Sequence, residues 1–372
     1  MSAEEEIPEA DRIEGAPHPR ETFTIYGQDR AQEDFLTAFS SGRLHHGWLI
    51  TGPRGLGKAT LAWTIARFLL ATPEDDGGLF GAPPPPTDLR IDPEHPVAHR
   101  VHALSEPRLH LLRRGWDPKT KKLRSVITVE EVRALKRFFS LSSADGGRRV
   151  VIIDSADEMN PNAANAILKL LEEPPANTVL LMVSHQPSRL LPTIRSRCRE
   201  LRLSPLQPEA MARALDQAGA QVAPQEAAAL AELSAGSVGE ALRLLNLGGL
   251  KLYADLVSLA DTLPRLDRPR AIALGESTAG RGQEARLDLM LTLADRLMAR
   301  LARAGVTGMA PRAEAAPQEA EVLKRLAPHP AAGRAWAQLA QDAGERARHA
   351  RAVNVDPAAL VLDLLLQLRK VD

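Results

Sequence analysis

The stretch GWLITGPRGLGKATLAWTIARFLL, residues 47–70, decides the fold. A short apolar run, Gly47–Thr51, feeds a glycine-rich loop, and Ala59–Leu70 leaves it with the apolar content of a buried helix. Strand, glycine loop and helix in that order are the context in which G-x-x-x-x-G-K binds phosphate: backbone N–H groups close around the oxygens and the lysine reaches the terminal phosphates. Gly52, Gly55, Gly57 and Lys58 are therefore candidate nucleotide-binding residues. The position after the lysine, where a hydroxyl ligates Mg²⁺, is Ala59. Thr60 is no simple substitute, because one residue along a helix turns a side chain by about 100°. The cradle is kept and the metal ligand is missing.

Working outward, 372 residues leave room for two or three domains, and a hydrophobic content of 44% supplies their cores. With 47 basic and 47 acidic side chains the net charge is zero, which argues against a protein that coats nucleic acid by bulk charge. The single cysteine, Cys198, excludes an intrachain disulfide and a multi-cysteine zinc site. The acidic lead MSAEEEIPEADRIEGAPHPRE has no apolar signal core, and no run of about 18 apolar residues occurs. A cytoplasmic protein without membrane contact is expected.

Residues 1–21 read as a disordered acidic lead, and 22–206 as an α/β domain with a parallel sheet. Within it Gln28–Ser41 has helical spacing, and 71–105, rich in Gly, Pro and Asp, reads as an irregular insertion. Its histidines, with His110 beyond, match no metal-ligand spacing, so a solvated loop and no zinc are expected. Leu109–Ile127 reads as two strands around Gly115–Pro118, an ordinary charged hairpin or a phosphate-contacting edge. Thr128-Val-Glu-Glu131 is a capping box opening a helix to about Phe139. Arg149–Asp154 and Val179–Ser184 read as buried strands, and Asn162–Glu173 as a helix halted by Pro174-Pro175. Strands then cease. Three short helices, Pro208–Ala218, Gln225–Leu233 and Val238–Leu245, suggest a small helical domain over 207–248, and 249–372 an all-α domain in which 309–321 reads as a disordered loop.

RVVIIDSADEMN, residues 149–160, has the form of a Walker B strand. Asp154 stands where the Mg²⁺-directed carboxylate belongs, but Ser155 takes the place of the glutamate that orients the attacking water. Asp157 and Glu158 reach inward only if the strand ends late; otherwise they lie on a surface turn. Two hydrolysis groups are thus absent at their own motif positions.

NAILKLLEEPP (165–175), VSHQPSRLLPTIRSRC (183–198) and the helices after them resemble the bacterial DNA polymerase III clamp-loader AAA+ family, strongly from about Tyr26 to Leu245. The resemblance implies an AAA+ P-loop domain, a three-helix lid and a C-terminal helical collar for oligomerisation. It makes Arg197 of Ser196-Arg197-Cys198 an arginine finger acting in trans on a neighbour's ATP, and puts Ser184 at the sensor-1 position. A guanidinium suits that task because it is always charged and forks onto phosphate oxygens. The sensor-2 arginine is replaced by Gly239, a third absence, and the four-cysteine zinc module of many relatives is missing.

The resemblance and the missing groups together imply a non-hydrolysing stator subunit in DNA replication, not an enzyme by itself, within a complex that is a DNA-directed DNA polymerase (nucleotidyltransferase) holoenzyme. The implied partners are the gamma/tau motor subunits and the delta subunit, and indirectly the sliding clamp and primer-template DNA. No cofactor is required, although the intact Gly52–Lys58 cradle allows ATP or ADP to bind without being split. The alternatives are an active motor ATPase, which calls for Ser or Thr at 59, Glu at 155 and Arg at 239, and a nucleotide-binding switch sharing only the phosphate loop.

Overall fold

The structure, a computed structural model, describes residues 8–13, 15–73, 85–140, 147–280, 282–311 and 313–371. The chain packs as two compact units, one running to Ala220 and taking in Gly236–Gly239, the other made of Gln221–Ala235 and Glu240–Asp372.

The first unit is built on a five-stranded parallel sheet. In chain order its elements are α1 (Asp29–Ser40), β1 (Gly47–Thr51), α2 (Lys58–Ala71), α3 (Pro96–His102), β2 (Leu109–Arg113), the short hairpin β3 (Trp116–Asp117) and β4 (Lys122–Leu123), α4 (Val129–Ser140), β5 (Arg149–Asp154), α5 (Pro161–Glu172), β6 (Thr178–Ser184), α6 (Pro192–Arg195), β7 (Arg199–Arg202) and α7 (Pro208–Gln217). The strand order is β2-β5-β6-β1-β7. β1, β5 and β6 are central and covered on both faces, which is why they read as unbroken apolar runs. Alternation survives in what each side chain meets. Leu49, Val151, Ile153, Leu180 and Met182 pack with Val132 and Leu135 of α4 and Ile167 and Leu171 of α5. Trp48, one residue out of step, meets Phe35 of α1 with ring centroids 4.9 Å apart, and Phe39 meets Phe68 of α2 at the same spacing. The parallel-sheet P-loop class and the helix-rich C-terminal region expected from the sequence are both present.

Three local expectations change. Leu109–Arg113 is not one arm of a hairpin. It pairs in parallel with β5, from Leu109↔Val150 to Arg113↔Asp154, and only β3 and β4 form a hairpin. The insertion 71–105, whose residues 74–84 lie outside the described set, contains α3, with Val97, Ala98 and Val101 buried and His95 accepting the Val97 N–H. Alanine and valine at helical spacing inside a proline- and aspartate-rich stretch supply an apolar stripe that average composition hides. The lead, outside the described residues over 1–7, is engaged from Glu9 onward. Arg113 pairs with Glu9 at 3.1 Å and with Asp11, and His18 is buried edge-on against Trp63.

The second unit contains α8 (Ala227–Ser234), most of α9 (Val238–Asn246), α10 (Gly249–Asp261), α11 (Arg268–Glu276), α12 (Glu284–Thr307), α13 (Glu319–Leu326), α14 (Pro330–Ala352) and α15 (Pro357–Gln367). The helices expected over 207–248 are therefore shared between the two units. The long helices α12 and α14 approach closely where glycines meet: a Cβ on Gly305 would stand 2.7 Å from the Gly333 Cα. Nor is 309–321 without structure. Ala315, Ala316 and Glu319 are buried, and Arg300 donates to the Glu319 carboxylate at 2.6 and 3.0 Å. No helix among the described residues is long and apolar enough to cross a membrane.

Candidate functional site

The P-loop joins the C-terminal end of β1 to α2. Gly52, Gly55 and Gly57 have φ of +137°, +76° and +89°, conformations that strain any side-chain-bearing residue. Lys58 opens α2 and is buried, its ammonium donating to the carbonyl oxygens of Gly52 at 2.7 Å and Pro53 at 2.5 Å. Burial pulls the ammonium down to about 8, against the charges of Asp154 and Asp157.

Asp154 ends β5 with Ser155 just after it, and Ser184 ends β6 opposite Thr51, the last residue before the loop. Burial, then the charges of Asp11 and Glu158, push the Asp154 carboxyl up to about 7, against the Ser155 hydroxyl and Lys58. The Ser155 hydroxyl donates to Asp154 Oδ1 at 3.0 Å and lies 2.9 Å from Nε2 of His185. His185 was not singled out from the sequence; its only signal is its place directly after Ser184. Burial, then Lys58 and Arg54, pull its imidazole down to about 4, so it is neutral at pH 7. β5 ends at Asp154, yet Asp157 still turns inward and accepts the His185 backbone N–H at 2.9 Å. Glu158 faces Arg114 at 2.8 Å and Arg54 at 3.5 Å. The surface-turn reading of Asp157 is thereby corrected: a 3-10 turn over Ala156–Glu158 redirects it.

Gly239 is also explained. The Gly236–Gly239 segment lies on the phosphate loop, with the Gly239 N–H donating to Gly55 O at 3.0 Å and the Ser237 hydroxyl to Arg54 O at 2.9 Å. A Cβ on Gly239 would stand 2.7 Å from the Gly55 Cα and 2.9 Å from Ile13 Cδ1. The position has no room for any side chain in this arrangement, let alone an arginine.

These donors suit a phosphate better than a magnesium ion. Three positive-φ glycines, Lys58 and the Ser184 hydroxyl, buried without a hydrogen-bond partner among the described residues, can meet phosphate oxygens. Against a metal stand Ala59 and an Asp154 carboxyl that holds its proton near neutrality. Among the described residues no group of three or more His, Cys, Asp or Glu is arranged to hold a metal ion.

Asp154 also carries a pH prediction. Its folded value, about 7, lies above the ordinary 3.8, so the folded state binds the extra proton between those limits. Stability attributable to it is present at low pH and lost as pH rises through 7. Asp154→Asn should therefore stabilise the chain relative to wild type by an amount growing from pH 5 to pH 7.5. About 1–3 kcal/mol is expected, less than the full shift implies at 1.36 kcal/mol per pKa unit, because Lys58 loses a counter-charge. Urea midpoints across that range measure it; a pH-independent difference would refute it.

Arg197 lies elsewhere. β7 runs parallel to β1 from Trp48↔Arg199 to Thr51↔Arg202, so Arg197, two residues before β7, stands at the end of the sheet where β1 begins. Gly47 packs there: a Cβ on it would stand 2.8 Å from Leu171 Cδ2 and 3.3 Å from Arg197 O. The phosphate loop begins at the other end of β1, four residue steps away at about 3.3 Å each. The guanidinium lies 3.0 Å from Glu172 Oε1 and donates to Thr193 O at 3.1 Å, and 38% of its side chain is exposed. Cys198 beside it is half-buried, and burial pushes its thiol up to about 12, leaving it protonated.

A parallel sheet with a glycine-rich phosphate loop after β1 and a carboxylate ending β5 defines an α/β domain of the P-loop class. Residues 27–207, just under half of the chain, match the family model described as "DNA polymerase III, delta subunit". The sequence is similar to curated delta-prime subunits of DNA polymerase III. It is 40% identical over 153 residues to that of Pseudomonas aeruginosa, covering 41% of each chain. Over 218 residues it is 32% identical to that of Bacillus subtilis, covering 58% of this chain and 59% of the relative. With that of Escherichia coli the figures are 31% over 221 residues and 58% of each chain. The chain thus spans about half the length of the curated relatives it matches. Among solved structures, a DNA polymerase III gamma subunit-related protein from Thermotoga maritima aligns over 91% of this chain and 99% of its own at 16% identity, with a TM-score of 0.37.

Proposed function

We propose that this chain is a delta-prime-type stator subunit of a DNA polymerase III clamp loader in the bacterial cytoplasm. It does not hydrolyse ATP and supplies Arg197 to the ATP of an adjoining gamma/tau motor subunit. The observation that carries the reading is the placement of Arg197 at the sheet edge opposite its own phosphate loop. A phosphate it serves must then belong to another subunit. Ala59, the hydrogen-bonded Ser155 and the sterically closed Gly239 support the absence of hydrolysis in cis. In this reading residues 207–248 act as the lid and 249–372 as the collar that holds the ring. The delta subunit completes the assembly, which opens a sliding clamp and places it on primer-template DNA, and the polymerase holoenzyme carries the nucleotidyl transfer. The chain requires no cofactor. A nucleotide held without hydrolysis is a second reading, favoured by the buried Ser184 hydroxyl, which has no hydrogen-bond partner among the described residues and lies beside the positive-φ loop.

Steady-state ATP hydrolysis by the chain alone, beside the loader reconstituted with motor subunits, tests the proposal. The chain alone should be silent and the complex active. Turnover by the isolated chain would overturn the reading and direct attention to Asp157.

A further inference from the structure

We propose that Glu172 is a positioning residue for Arg197, holding the guanidinium in the attitude in which it meets the neighbouring subunit's phosphate; this rests on the trans-finger reading above.

Both arms of the guanidinium are fixed. Nη2 lies 3.0 Å from Glu172 Oε1, and Nη1 donates to the carbonyl oxygen of Thr193 at 3.1 Å. Two anchors at two nitrogens set the plane of the group as well as its place. A guanidinium has five N–H donors in a rigid fork, so three remain, including Nε–H, to meet phosphate oxygens.

The seat beneath the pair is rigid. Glu172 is the last residue of α5, which Pro174-Pro175 prevents from continuing. His46 Nε2 lies 2.9 Å from Leu171 O, tying the helix end to the entry of β1. Gly47 admits the close approach of Leu171 and the Arg197 backbone. On the other side the Arg197 N–H donates to Ile194 O at 3.1 Å and the Ser196 hydroxyl to Thr193 O at 3.1 Å, closing a tight turn. Neither partner's backbone is free to drift.

Helix electrostatics run against Glu172 as a folding device. The C-terminal end of a helix carries partial negative charge, and a carboxylate there is unfavourable by about 0.3–1 kcal/mol. Glu172 and Glu173 both stand at that end of α5, with Lys169 as the one basic residue of the last turn. The ion pair does not repay this through stability, since Arg197 and Glu172 keep 38% and 43% of their side chains exposed. Such solvent-exposed pairs contribute about 0–1 kcal/mol. Orientation is the larger effect, because a misplaced catalytic group costs up to about 10²-fold in rate. The same exposure leaves the guanidinium open to an incoming phosphate.

The test uses the loader reconstituted with its motor subunits and four variants: E172Q, E172D, R197A and the double variant E172Q/R197A. E172Q should lower kcat for ATP by roughly tenfold at the adjoining site with KM little changed, as expected for an interaction realised in the transition state. E172D should recover part of the rate. The double variant should be no slower than R197A, and melting temperature and assembly by sedimentation should match wild type throughout. Wild-type turnover in E172Q beside a slow R197A would overturn the positioning role and leave the finger standing. Additive losses in the double variant would also overturn it, by making Glu172 independent of Arg197. Wild-type turnover in R197A would overturn the finger itself, and this inference with it.

Discussion

Replacing Arg197 by Ala in the reconstituted loader should lower turnover at the one adjoining ATP site by about 10³-fold, the scale of a trans arginine in phosphoryl transfer. The chain itself should still fold and assemble, because the side chain is exposed and its pairing with Glu172 contributes little to folding. Arg197→Lys should recover only part of the rate: an ammonium neutralises charge but lacks the planar fork that holds two phosphate oxygens at once. Single-turnover measurements isolate that site. An unaffected complex would mean that Ser196-Arg197-Cys198 is only a structural turn.

The second large effect concerns stability of the helical unit. Glu319 is fully buried and faces Arg300, whose guanidinium reaches both of its carboxylate oxygens and also Glu232 and the carbonyl of Ala313. The hydroxyl of Tyr253 donates to Glu319 Oε1 at 2.6 Å and the Ala315 N–H to Oε2 at 2.6 Å. Burial, then the adjacent Glu319, push the Tyr253 phenol above its ordinary value, so it stays a donor. Glu319→Ala should cost about 3–5 kcal/mol, because the buried Arg300 keeps only the partly exposed Glu232 as counter-charge and the Tyr253 hydroxyl and Ala315 N–H lose their acceptor. For a unit of this size the loss lowers the melting temperature by roughly 10 °C. Substituting both partners by apolar residues, Arg300→Met with Glu319→Leu, should cost less than the single change, since no buried guanidinium is then left short of counter-charge and Glu232 is partly exposed to solvent. Proteolysis within 309–318 should accelerate in Glu319→Ala, because the carboxylate pins that segment. A melting temperature indistinguishable from wild type would refute the network's role.

The same carboxylate shows where sequence reading stops. Alanine, proline and charge over 309–321 predict a segment that buries little, yet Glu319 is buried by partners at 253 and 300. Nothing local signals them. The lead departs from expectation for the same reason: Asp11 finds Arg113, 102 positions along the chain, and His18 finds Trp63. His185 beside Ser155 is a third case, joined only because β5 and β6 are neighbours in the sheet.

What the sequence determined by itself is the set of features whose cause is local. The GWLIT run, the three loop glycines and the helix from Lys58 each follow from nearby residues: apolar continuity, positive φ and helical spacing. The stop at Pro174-Pro175 is likewise a clash between adjacent residues. The absences at 59 and 155 could be read without coordinates, because each motif position is counted from its neighbours. Tertiary structure alone decided that Gly239 has no space for a side chain against Gly55 and that β2 completes the sheet. It alone set Arg197 at the far edge from its own phosphate loop, against Glu172. These depend on which distant backbones approach one another, and strand order and helix docking set that, where no local spacing records it.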